Sequence, residues 1–342
     1  MKVIKHSLTG LALAIASCAA SAQTLNLYSA RHYDTDEALY TNFTTATGIK
    51  VNRIEMGDDA LLERLRNEGD KSPADVVLLV DASRLFKAQN EGLLQPIDSA
   101  VLKQKIPAQY TASNNSWFGF STRARVIIYN KVALKADDVD AYEKLALPAI
   151  KGKLCTRTGT HPYNMSLWGA MIERLGTAKT EQVLKGYADN MARKPVGGDT
   201  DQIKAVASGE CGVTISNTYY WARLLRSTKP EDKAIVDKVV MVWPNQTAPF
   251  ASGTHVNVAG GGVTKYAPNK AAAVKFLEYL ASDSAQKYFA EGNNEWPVVK
   301  SVVVDNPALK AMGSFKAETV PVSAFAIRQA AAARLLTAVN YK

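Results

Sequence analysis

The sequence predicts an α/β protein of two lobes joined by crossing strands, and three observations carry that expectation. Short strand-like segments alternate with helical segments of about ten residues, the pattern of βαβ units and a mostly parallel sheet. The alternation runs through two separate series, one beginning near Leu25 and the other near Lys153. The chain has 342 residues, too many for one comfortable core.

In the first series Leu25-Asn26-Leu27-Tyr28 is a short strand, Thr35 to Thr47 a helix ended by Gly48, and Ile49 to Ile54 the next strand. Ala60 to Glu68 is helical up to Gly69, and Ala74 to Leu79 is a buried strand. The second series has a strand at Lys153 to Thr156 and a helix from Ser166 to Leu175 ended by Gly176. Helices at Thr180 to Met191 and Thr200 to Ser208 follow, then a strand at Gly212 to Ser216. Arg123 to Tyr129 is placed to cross between the lobes, and Phe250 to Val258 to cross back. The N-terminal lobe then comprises 23–123 plus 248–295, and the C-terminal lobe 124–247 plus 296–342. A cleft between domains is where small ligands bind, and hinge motion closes it.

The N-terminus predicts export. Lys2 and Lys5 precede an apolar run from Leu8 to Ala20, and Ala20-Ser21-Ala22 supplies the small residues of a cleavage site. Together they describe a secretory signal peptide over 1–22, too short to span a bilayer, which needs about 20 apolar residues. Ile15-Ala16-Ser17-Cys18 also resembles a lipoprotein box, and cleavage after Ala22 is preferred over lipid anchoring at Cys18. Losing Lys2 and Lys5 lowers the formal charge from +9 to +7. No run of five basic residues remains, so a nucleic-acid partner is not expected. Two cysteines stay in the mature chain, Cys155 and Cys211. In an oxidising compartment an even pair predicts a disulfide. With only His32, His161 and His255 left, a His-rich zinc or copper site is not expected.

Tyrosines carry the chemistry. Cys155 and Tyr163 are eight residues apart, as are Cys211 and Tyr219. If the cysteines begin neighbouring parallel strands, both tyrosines reach the carboxyl edge of the sheet, where open α/β sheets bind ligands. Tyr220 follows Tyr219 on a turn entering a helix, where adjacent side chains can converge. The first βα turn of the other lobe adds His32 and Tyr33 at the equivalent edge. Fe(III) is a small, hard cation that favours anionic oxygen donors, and it can displace the phenol proton despite a pKa near 10. Tyr219 and Tyr220 also suit an aromatic shelf for an organic solute, or a core, and residue types alone leave those readings open. Arg123 and Arg125 share a strand face by their spacing of two. Either can offset excess negative charge or hold an anion, with Arg123 preferred as the nearer to the cleft mouth.

Four segments resemble a known family: Tyr28-Ser-Ala-Arg-His-Tyr33, Thr122-Arg-Ala-Arg-Val126, Gly152-Lys-Leu-Cys155, and Gly212-Val-Thr-Ile-Ser-Asn-Thr-Tyr-Tyr220. The family is that of the periplasmic ferric-ion-binding proteins of FbpA or FutA type, and the resemblance covers essentially the whole mature chain. It implies a type II periplasmic-binding-protein fold with a hinge between lobes. The implied role is to feed ferric ion or a ferric chelate to the inner-membrane permease of an ABC importer, as a periplasmic monomer. It implies that Tyr163, Tyr219 and Tyr220 ligate Fe(III) from one lobe while Tyr33, with His32 beside it, closes the site from the other. Carbonate is the synergistic anion expected at Arg123 or Arg125. Members that pair a histidine with a distant glutamate and use phosphate match less closely; Glu55 is the nearest counterpart of that glutamate. An organic or oxyanion binder on the same scaffold is the alternative. No Gly-x-Ser-x-Gly elbow, HExxH or two-His-one-carboxylate grouping is present, so an enzyme is not expected.

Overall fold

A computed structural model describes residues 23–31 and 34–341. The leader read over 1–22, with Cys18, lies outside the described residues, as do His32 and Tyr33. The strands are β1 (Thr24–Ser29), β2 (Lys50–Glu55), β3 (Val76–Leu79), β4 (Phe118–Asn130) and β5 (Leu154–Cys155). They continue as β6 (Val213–Asn217), β7 (Val239–Val242), β8 (Val256–Val263) and β9 (Trp296–Pro297). Their spatial order is β2-β1-β3-β8-β4-β6-β5, with β7 and β9 also paired to β4. β1 runs parallel to β2 and β3, and β5 parallel to β6, while β8 and β4 run antiparallel to their neighbours.

β4 joins the lobes. From Phe118 to Ala124 it pairs with β8; from Arg125 to Tyr129 it pairs with β6. Phe118 to Tyr129 is buried throughout, so Arg123 and Arg125 enter the interior and must find partners there. β8 is the second crossing strand and squeezes between β3 and β4. It does so because Gly260, Gly261 and Gly262 carry no side chain. A Cβ on Gly260 would lie 2.2 Å from the Phe118 carbonyl oxygen, and one on Gly261 would lie 2.5 Å from that of Val77. Apolar side chains form a core on each sheet, with Ala170 and Phe325 joining the first. Leu25, Leu27, Phe43 and Phe276 centre the core on one sheet, and Leu154, Trp168, Tyr187 and Ile215 that on the other. Each fully buried side chain of this kind contributes about 1.5–3 kcal/mol.

The expected elements are present with shifted limits. The helix after β1 runs Glu37–Thr47 and ends at Gly48, whose φ of 73° is the left-handed conformation that glycine adopts freely. The return crossing is Val256–Val263, later than the expected Phe250 to Val258; Phe250 stands in a turn that follows the cis Ala248–Pro249 bond. β5 has only two residues, and the helix expected from Ser166 begins at Pro162. Proline at the first helical position costs no hydrogen bond there. No helix among the described residues is long and apolar enough to cross a membrane.

Cys155 and Cys211 form a disulfide across a separation of 56 residues. In the loop-entropy account such a bridge contributes about 4 kcal/mol. The mature native protein is expected to show no alkylatable thiol by mass spectrometry. Replacing both cysteines by serine should lower the unfolding free energy in urea by about 2–4 kcal/mol. Equal stability of variant and parent would refute a structural role for the bridge.

Candidate metal centre

β5 and β6 are parallel neighbours, so the helices that follow them start at one edge of the sheet. The equal cysteine-to-tyrosine spacing is not the reason. Cys155 aligns with Thr214, three residues beyond Cys211, and Tyr163 reaches the edge through the loop at 156–161 instead of along a strand. There His161 caps the Pro162–Leu175 helix, its Nδ1 accepting the Tyr163 N–H at 3.2 Å. Burial, with Arg157 adding to it, lowers the imidazole pKa to about 3. The ring is therefore neutral, as an acceptor must be.

Tyr219 and Tyr220 lie in the first turn of the Thr218–Arg226 helix, with ring centroids 4.4 Å apart. Asn217, the last residue of β6, donates from Nδ2 to the Tyr219 hydroxyl at 3.1 Å. Tyr219 is 1% exposed and Tyr163 6%, and a hydrogen bond joins their phenols. Burial pushes the Tyr163 phenol upward, and Tyr220 adds to this; Arg123, the Tyr219 bond and Arg157 oppose it. Three guanidinium groups lie over the Tyr163 ring, at 5.5 Å for Arg123, 5.9 Å for Arg125 and 5.0 Å for Arg157.

The arginines differ in what else they hold. Arg125 donates to Asn217 Oδ1 at 3.1 Å, to Asn164 Oδ1 at 2.8 Å and to Asp199. Arg123 donates to the Val80 carbonyl and to Asp81 Oδ2 at 3.3 Å, while its Nη1 is buried without a partner among the described residues. Arg157 reaches Asp199 Oδ1 at 3.3 Å. Burial alone would raise the Asp199 carboxyl; Arg125 and Arg157 override it and hold the group below the ordinary carboxylate range.

Tyr163, Tyr219 and Tyr220 thus come together with Arg123 and Arg125. Glu55 does not join them: 41% exposed, it pairs with Arg53 at 2.8 Å. Tyr28 instead donates its hydroxyl to Glu68 at 2.9 Å. Arg157, His161, Asp81 and Asp199 were not singled out from sequence. Arg157 stands two residues past Cys155 and Asp199 starts a helix, yet nothing in spacing marks either as a neighbour of the tyrosines. Among the described residues no group of three or more His, Cys, Asp or Glu could hold a metal ion.

A sheet order that joins two α/β halves through one long strand, with helix starts gathered at one edge, fits a solute-binding protein of the extracellular type. The family model for bacterial extracellular solute-binding proteins matches residues 38–317. Iron uptake protein A2 of Synechocystis is 45% identical over 338 residues, 98% of this chain and 96% of that protein. The solved structure of Trichodesmium FutA (IdiA) in complex with iron and citrate is 51% identical with a TM-score of 0.86, over 93% of this chain and 100% of that one. Ferric iron-binding protein A of Mannheimia haemolytica in an open conformation is 41% identical with a TM-score of 0.83, over 94% and 99%. The chain belongs to the bacterial extracellular solute-binding protein family, in its ferric-iron-binding (FutA/FbpA) branch, a family of binding proteins and not of enzymes.

Asp58 stands beside the Arg123 cluster and accepts the Val80 N–H at 2.9 Å. Burial pushes its carboxyl up to about 6, against the Val80 bond and with Asp81 adding to the rise. Because the folded pKa exceeds the unfolded one, the folded state holds the proton more tightly. The resulting stability is complete below about pH 4 and is lost as pH rises through about 6, a change of about 3 kcal/mol. Asp58→Asn should therefore gain about that much relative to the parent between pH 4 and pH 7. Urea denaturation at the two pH values measures it, and a constant difference would contradict the assignment.

Proposed function

We propose that this protein captures Fe(III) between its lobes through the phenolates of Tyr163, Tyr219 and Tyr220. Tyr33, with His32 beside it, would complete the site from the other lobe. The lobes in this reading are 23–123 plus 248–295 and 124–247 plus 296–342. The protein would work in the periplasm after cleavage at Ala22, as a monomer that hands iron to the inner-membrane permease of an ABC importer. The observation that carries the proposal is the convergence of three phenols from two helix starts under three guanidinium groups. Three phenolates neutralise a trivalent cation, and a fourth makes the site net negative, which the arginines offset. Arg123, whose Nη1 has no partner among the described residues, is the donor available to a carbonate. Arg125 is committed to Asp199, Asn217 and Asn164. An aromatic shelf for an organic solute would need an exposed ring face, and Tyr219 is 1% exposed. The names of its relatives, iron uptake protein and ferric iron-binding protein, support the same cargo.

Tyr219→Phe and Tyr220→Phe keep the ring and delete only the oxygen. Each should lower ferric affinity by more than the about 100-fold typical of losing an outer partner of a metal ligand. Titration with ferric citrate, followed by the visible phenolate-to-iron band, is the measurement. Parental binding in both variants would make the pair structural and end the proposal.

Each phenol must also lose its proton to bind, and burial holds the Tyr163 proton firmly. Loading should release protons, and affinity should fall as pH falls. The visible band should bleach in step with iron loss during acid titration. A loaded sample that sheds metal and keeps the band would contradict phenolate ligation.

A further inference from the structure

The carboxylate of Asp81 sits between the two lobes, is fully buried, and is held from two sides. It ends the loop after β3 and caps the Ala82–Asn90 helix, with Oδ1 accepting the Ser83 N–H at 2.9 Å and the Ser83 hydroxyl at 2.6 Å. Oδ2 accepts from Asn257 Nδ2 at 2.9 Å and from Arg123 at 3.3 Å. Arg123 and Asn257 face each other in register on β4 and β8. One oxygen is thereby anchored on the pair of strands that crosses between the lobes. The other oxygen accepts a third bond, at 2.7 Å, from Ser166 Oγ. Ser166 is fully buried and lies three residues beyond Tyr163, on the helix that starts at the second sheet. Residues three apart on a helix share a face.

We propose that Asp81 and Ser166 form a closure latch between the lobes, with Ser166 as a positioning residue that holds the Tyr163 helix in its ligating place. The latch rests on the ferric-binding reading given above. Rotation about β4 and β8 leaves the Arg123, Asn257 and Ser83 bonds in place, since all three residues belong to the crossing strands or to the first lobe. The Ser166 bond is the one that rotation breaks. Opening therefore leaves the Asp81 carboxylate its Arg123, Asn257 and Ser83 partners and takes one hydrogen bond from it, beside the packing of the Ala82–Asn90 helix against Val322–Ile327. Bonds of that kind are stronger than neutral ones yet weak enough to break once per transport cycle.

Ser166→Ala in the full mature protein removes only the latch donor. After ferric loading, iron loss to excess EDTA is followed by the decay of the visible band, with small-angle scattering of the same samples. The expected result is an unchanged band position, iron loss about tenfold faster than the parent, and a less compact loaded protein. Ser166→Thr, which keeps the hydroxyl, should return the rate toward the parent. The iron-free melting temperature of Ser166→Ala should match the parent, which separates a latch from a general packing defect. Parental iron loss with the band intact overturns the latch, as does a lowered iron-free melting temperature that accounts for the change. A parent that never develops the band would overturn the ferric reading instead. Scattering would then decide the latch alone, and equal dimensions with and without the Ser166 hydroxyl would overturn it.

Discussion

The buried pair of Arg125 and Asp199 organises the half of the site that can be described. Both side chains are at most 1% exposed, and a buried charge is tolerated only when it is paired and fully hydrogen-bonded. The requirement is met at every polar atom of the pair but the Arg125 Nε, by drawing in the groups nearby. Asp199 takes Arg125, Arg157 and the Asn217 N–H; Arg125 takes Asn164 from one tyrosine helix and Asn217 from the start of the other. The pair stands where β4 leaves one sheet for the other. Satisfying two charges thus fixes where two helices begin, and with them the three phenols. Removing Asp199 would leave Arg125 buried without a carboxylate, at a cost of about 3–5 kcal/mol.

The sheet and its helices were legible because local signals agreed with the fold. Strand runs such as Val76 to Leu79 and the glycine stop at Gly48 follow from burial and backbone conformation at neighbouring positions. What could not be read depends on pairing between distant segments. The Cys155–Cys211 bridge was expected, but the register behind it was not: Cys155 lies opposite Thr214. The two charged residues of Thr122-Arg-Ala-Arg-Val126 share a strand face by spacing, and Arg123 is preferred only for its nearness to the cleft mouth. Arg125 proves to be consumed by Asp199, while Arg123 bridges to Asp81. Arg157 escaped notice because its role comes from lying over a ring six positions away in sequence, through an irregular loop.

The electrostatic design is one of deferred charge. In the described state the phenol of Tyr163 is held neutral by burial, and the cations near it are paired with Asp81 and Asp199. Three guanidinium groups against two carboxylates leave one positive charge in excess around the phenols while their protons are in place. On the proposed phenolate reading a hard, highly charged ion is favoured, because a weakly acidic metal cannot repay the removal of several phenol protons from a buried position.

The glycine run of β8 has a consequence for how such a protein can change. With no room for a Cβ at Gly260, Gly261 or Gly262, that stretch of the strand offers natural variation almost nothing to work with, and it is frozen as backbone. On the proposed site, altered preference for another ion would come from the helix starts after β5 and β6 and from the first crossing strand. A library built to redirect the cargo can leave the second crossing strand untouched and concentrate its diversity on those few positions.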